Sequence, residues 1–190
     1  MELRGVTLIG ERIDALTLSE PILLEKCKLQ GGSIGLARRP VDRLTVKDIT
    51  ARKCSIDSVI VGPVVFENVA VQDLRTTSHI WLPACAFRHC TLSGRIGRLL
   101  FFASEDPGQA LSSVANAPFF KANAAYYAET DWALDISAAT FVDWDCRSVP
   151  AELIRVNPNT QIRVSYEKTR QRFATGELRG LSADGQFTLE

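Results

Sequence analysis

The sequence predicts an all-β fold: a four-sided parallel β-helix with a partly helical insertion and a C-terminal cap. Three observations carry this. Between Leu44 and Phe102 the apolar residues fall in pairs two apart, and the pairs recur every five residues. The pattern apolar-x-x-apolar-x-apolar begins at Leu3, Leu24, Val46, Phe66 and Phe87, so its steps are 21, 22, 20 and 21 residues. The grid stops after Phe102 and resumes in phase at Leu134. A pair two apart is a short strand with both side chains on one side of the pleat, and repeating it every five residues turns the chain by a fixed corner. Four corners return it above itself. Self-similarity at such a period marks a solenoid, in which each turn buries its inner face by stacking on the next.

Taken in order, Leu3, Val6 and Leu8 open the first coil, Leu16/Leu18 continue it, and Pro21 with Ile22/Leu24 begins the second. The first coil has an open edge, which calls for a covering loop, blunting by Glu2 and Arg4, or a homodimer through that end. Gly31, Gly32 and Gly35 break the second coil. Ala37-Arg38-Arg39-Pro40 reads as a corner loop, since proline cannot donate to a ladder, and Arg38, Arg39 and Arg43 read as a solvated patch. The Gly31-Gly32 stretch lacks the strand-to-helix context of a phosphate cradle.

From Leu44 the pairs are Leu44/Val46, Ile49/Ala51, Cys54/Ile56, Val59/Val61, Val64/Phe66, Val69/Val71 and Leu74/Thr76. After a slip of one residue come Ile80/Leu82, Cys85/Phe87 and Cys90/Leu92. The grid misses at Arg95/Gly97 and returns at Leu100/Phe102. Residues 103–133 form an insertion, with helices expected near 108–116 and 119–129 from the alanine content. Leu134/Ile136, Ala139/Phe141, Trp144/Cys146, Val149/Ala151 and Ile154/Val156 complete the coils. The single β-helix domain thus spans 1–160. A strand through Ile162, Val164 and Tyr166, a short helix from Glu167 to Phe173 and the polar tail make a cap over 161–190, because a solenoid end needs a cover.

Cys85/Phe87, Cys90/Leu92 and Ala139/Phe141 carry a resemblance to the pentapeptide-repeat family. That resemblance implies a right-handed four-sided β-helix with a small residue and then Leu or Phe pointing inward. The chain departs from the pattern, holding Val, Ile, Leu or Cys at the small position and Thr45, Thr50, Ser55, Ile60 and Val65 where the family favours Asp or Asn. It resembles a degenerate member with wider coils.

With 190 residues, 46% apolar content and 22 basic against 22 acidic side chains, the chain can bury a full core and is too apolar for disorder. No apolar run approaches a membrane span, and Met1 to Gly10 has no signal-peptide pattern, so a cytoplasmic address and no membrane partner are expected. Cys27, Cys54, Cys85, Cys90 and Cys146 sit on inward positions at spacings unlike a disulfide framework, so they read as small hydrophobes. His89 neighbours an inward residue and should face away from Cys85 and Cys90, which argues against zinc. Two histidines and scattered carboxylates offer no catalytic constellation. No enzyme activity, cofactor or metal is expected.

Charge is uneven along the chain. Residues 1–102 hold 14 Lys/Arg against 10 Asp/Glu, whereas 103–160 hold 3 against 8. The acidic stretch adjoins the aromatic insertion, and aromatics beside like charge suit a protein interface, the first for anchoring and the second for steering a basic partner. The candidate partner-binding residues are Phe119, Phe120, Tyr126, Tyr127, Glu129, Asp131, Trp132, Asp143 and Asp145. A cover packed on the outer wall is the alternative reading of the aromatics. A general similarity to β-helical proteins found beside secreted antibacterial toxins implies a bacterial immunity protein. Such a module would neutralise a cognate toxin with a basic surface, for instance a nuclease, without touching nucleic acid itself. The alternatives are a pentapeptide-repeat mimic of duplex DNA acting on type II topoisomerase, or a structural scaffold.

Overall fold

The computed structural model describes residues 1–14, 20–102 and 117–161. Their strands lie in four sheets, and every pairing among them is parallel. The first sheet runs β1 (Glu2–Arg4), β4 (Ile22–Glu25), β8 (Ile49–Arg52), β12 (Ala70–Gln72), β16 (Cys90–Phe102), β17 (Leu134–Cys146) and β18 (Ile154–Arg155), with β14 (Ile80–Pro83) paired to the far end of β16. The second stacks β2 (Thr7–Ile9), β5 (Lys28–Gln30), β9 (Ser55–Asp57) and β13 (Arg75–Thr76). The third holds β3 (Arg12–Ile13), β6 (Ser33–Ile34) and β10 (Ile60–Val61), and the fourth β7 (Leu44–Lys47), β11 (Val64–Glu67) and β15 (Ala86–Arg88). This is an all-β parallel fold compatible with a β-helix. One α-helix, α1 (Ala117–Ala128), is described between β16 and β17.

Inward residues stack in columns, as the paired grid requires. Leu3, Leu24, Ala51, Val71 and Leu92 stand in register, as do Leu8, Leu29, Ile56 and Thr76. Val46, Phe66 and Phe87 form a third column, where the rings of Phe66 and Phe87 lie 5.3 Å apart and nearly parallel. The aromatic core continues through Phe101, Trp144 and Phe141, with centroid separations of 5.1, 4.6 and 4.3 Å from Phe87 onward. Cys27, Cys54, Cys85 and Cys90 are buried, free thiols that donate to carbonyls of Leu3, Leu24, Gly62 and Phe66 in the preceding layer. Burial pushes the Cys85 thiol up to about 12 and that of Cys90 to about 11.

The corners have a common construction. Lys26, Asp48, Lys53, Ser58, Asn68, Asp73, Ala84 and His89 all adopt positive φ, between 49° and 56°, and each stands directly before an inward residue. At Lys26, Asp48, Lys53, Asn68 and Asp73 the corner N–H donates to a carbonyl one layer on, at 2.8–3.1 Å. The corner amide is thereby satisfied between layers.

Four sequence expectations need correction. Leu24 stacks on Ala51, not on the layer position of Val46, because the segment from Gly35 through the 3-10 turn Pro40–Asp42 lengthens the second coil. The inward pair expected to start at Leu100 starts one residue earlier: Leu99 and Phe101 are buried and Leu100 is only half-buried. Arg95 is excluded from the core, the chain advances one residue to bury Ile96, and the pairs Ile80↔Leu99 and Leu82↔Phe101 follow from that shift. Ala151 is exposed although Val149 is buried, since Pro150 opens a 3-10 turn over Ala151–Leu153. Arg43 does not belong to a solvated patch but sits half-buried under α1. Leu16/Leu18, the helix expected near 108–116, and the strand, helix and tail expected beyond Gln161 lie outside the described residues. No helix among the described residues is long and apolar enough to cross a membrane.

Candidate functional site

Helix α1 forms where the sequence places five alanines within twelve residues, with Pro118 in its first turn, where a missing N–H costs nothing. It ends at Ala128, and two residues on Thr130 donates its N–H to the Tyr127 carbonyl at 3.1 Å and its hydroxyl to the Tyr126 carbonyl at 2.8 Å. These bonds satisfy two of the carbonyls that a helix end leaves open. Phe119, Asn123, Tyr126 and Tyr127 recur at helical spacing and turn towards the fourth sheet. Beneath them Ala86, on the opposite face of its strand from Cys85 and Phe87, is fully buried.

Polar contacts fix this seat. Arg43 donates through Nη1 to Asn123 Oδ1 at 2.6 Å and lies 5.0 Å from the Phe119 ring centre. Its Nε and Nη2 are buried without a hydrogen-bond partner among the described residues, and desolvation lowers the guanidinium pKa. The Phe87 amide donates to the Tyr127 hydroxyl at 3.3 Å, supplying an acceptor to the open edge of β15. Tyr126 donates to Glu67 at 2.9 Å beneath the Arg88 guanidinium, 4.4 Å from its ring centre. Burial raises the pKa of both tyrosines, and the bond to Glu67 adds to the rise at Tyr126.

The nine candidate partner-binding residues therefore separate. Phe119 (1% exposed) and Tyr127 are buried against the wall, and Tyr126 is half-buried in its bond to Glu67. Phe120 is 40% exposed and Glu129 is exposed. Asp131 accepts from His89 at 2.6 Å, which holds its carboxyl below the usual range, and Trp132 contacts both the His89 ring and the Arg155 guanidinium. Asp143 pairs instead with His79 at 2.7 Å, again with a lowered pKa, and Asp145 pairs with Arg147 at 2.6 Å. Asp131 stands just before β17, whereas Asp143 and Asp145 lie far along it, opposite Arg98 and Leu100. The acidic residues are thus not one patch, and three of them have a local cation or histidine partner.

The outward side of α1 is what remains open. Ala117, Phe120, Ala124 and Ala128 are exposed, with Lys121 and Glu129 beside them. The helix is apolar on both faces, which is the signature of an element covered from both sides. Among the described residues no group of three or more His, Cys, Asp or Glu is placed to hold a metal. Sequence reasoning missed Arg43, although its position one residue before Leu44 marks it as a corner residue near the core. Comparisons of the chain with protein-family models, with curated proteins and with solved structures find no match.

Proposed function

We propose that this protein is a binding module that docks a protein partner on the outward face of α1. The observation that supports this reading is the exposed apolar row Ala117, Phe120, Ala124 and Ala128 on a helix whose other face is already clamped to the sheet. A rigidly seated apolar row costs little ordering entropy on association, and an exposed Phe gives it an anchor. The scaffold we envisage is a right-handed, four-sided β-helix of degenerate pentapeptide-repeat type. From β4 to β13 the chain visits the four sheets in rotation, which supports four sides, and parallel crossovers are right-handed almost without exception.

The partner we propose is a cognate antibacterial toxin with a basic surface, neutralised in the bacterial cytoplasm. Glu129 at the end of the row supports a basic partner, through steering rather than affinity. The duplex-DNA mimic demands uniformly negative sides, and the cationic group Lys53, Arg75, Arg95 and Arg98 argues against it.

Co-expression with the product of a neighbouring toxin gene tests the reading by growth. Wild-type chain should restore growth, and Phe120→Arg should not, although its melting temperature is unchanged. Rescue by Phe120→Arg would remove α1 as the docking face, and failure of the wild type would remove the immunity reading.

A further inference from the structure

A second feature lies away from α1. Where β16 crosses the second sheet, a cleft of about 610 Å³ opens, lined by Lys53, Arg75, Arg95 and Arg98. Among the described residues none of these four cations forms an ion pair, unlike Arg4, Arg12, Arg39, Arg88 and Arg147 elsewhere on the surface. The two carboxylates close by are already engaged. Asp73 accepts from the Arg95 backbone N–H at 3.1 Å, and Asp143, which feels the Arg98 charge, is held by His79.

The floor of the cleft is a close approach of β16 to β13. Thr76 Oγ1 accepts from the Arg98 backbone N–H at 2.8 Å, so a side chain takes over a rung of the strand ladder between β13 and β16. Gly97 lies so close to this threonine that an added Cβ would meet Thr76 Oγ1 at 2.4 Å. The backbone is thereby drawn down onto β13 while the arginines on either side of Gly97 flank the hollow.

We propose that this cleft binds a small ligand carrying two or more phosphate groups. Four cationic residues line a hollow whose one lining carboxylate, Asp73, already accepts a backbone hydrogen bond, and the planar fork of arginine matches phosphate oxygens two at a time. Among the described residues the lining contains Leu74 and Val142 but no aromatic ring to stack a base, so the phosphates and not a base are what the site reads. This is independent of partner docking on α1.

Isothermal titration of the full chain with inorganic triphosphate, at about 25 mM salt to limit screening, tests it. Saturable one-to-one binding is expected, weakened about tenfold or more by Arg95→Gln with Arg98→Gln, since each charge-assisted hydrogen bond contributes on that scale. The double variant should keep the wild-type circular dichroism and melting temperature. Arg38→Gln with Arg39→Gln, on the distant loop, should bind as wild type does. ATP in a parallel titration separates the sources: affinity equal to triphosphate assigns the phosphate chain alone, and higher affinity assigns a nucleotide. Equal loss in both double variants, citrate binding as tightly as triphosphate, or no binding of either phosphate would overturn the proposal.

Discussion

Replacing Gly62 by alanine tests the stacking of layers more directly than any core truncation. A Cβ at this position would lie 1.8 Å from the Gly35 carbonyl oxygen and 3.0 Å from Leu36 Cα, both backbone atoms of the layer below. Ordinary contact needs roughly 1.5 Å more, and neither strand can yield by a side-chain rotation. The displacement also strains two bonds that cross layers: Gly62 N–H donates to the Ile34 carbonyl at 2.8 Å, and the Gly62 carbonyl accepts from Cys85 Sγ at 3.3 Å. Overpacking of this kind costs about 3 kcal/mol, which for a chain of this size lowers the melting temperature by about 6–12 °C. Gly5→Ala is the control. Its φ is +64°, yet an added Cβ meets nothing within 4 Å, so only backbone strain of about 1 kcal/mol is expected. Thermal unfolding followed by circular dichroism measures both. If Gly62→Ala melts with the wild type, or loses less than Gly5→Ala, the close approach of the two layers is refuted.

Phe87→Asp should prevent folding, because it buries an unpaired carboxylate between Phe66 and Phe101; a soluble variant with native circular dichroism would contradict the inward placement. Tyr127→Phe removes the acceptor of the Phe87 amide and should cost about 1–2 kcal/mol in urea denaturation, with α1 still formed. Stability should fall at alkaline pH. Burial raises the Cys85 thiol from its ordinary 9.0 to about 12, so its contribution is complete below pH 9.0 and is lost as pH rises towards 12. Denaturation midpoints across that range, with Cys85→Ala as comparison, check the sign.

How much of the fold is legible in the sequence depends on whether one residue decides its own place. Leu44, Val46, Cys54, Val61, Val64 and Cys85 are buried as the five-residue grid requires, because a period of two on a short strand leaves each side chain only two directions. The grid loses its register at Arg95, where a side chain too costly to bury pushes the chain on by one; periodicity alone has no measure of that cost. The corners carry a signal of their own, since Asp48, Asn68 and Asp73 are residue types that tolerate positive φ and stand directly before inward positions. Among the candidate site residues, Phe119 and Tyr127 stand out in the sequence as aromatics but not as inward ones. Helical spacing from Phe119 through Asn123 to Tyr127 marks one face, yet which surface that face covers is a tertiary fact. The pairing of Asp131 with His89 and of Asp143 with His79 spans 42 and 64 residues, and no local pattern foretells it.

The length of β16 and β17 has a mechanical consequence. Each runs 13 residues, and the two are paired from Cys90↔Leu134 to Phe101↔Cys146 with one slip of register between Thr91 and Ser93. Earlier layers are assembled from separate pieces of two to four residues that can detach singly. Opening the double seam requires breaking one long row of bonds together, so amide exchange should be slowest there and fraying should begin at the amino-terminal layers.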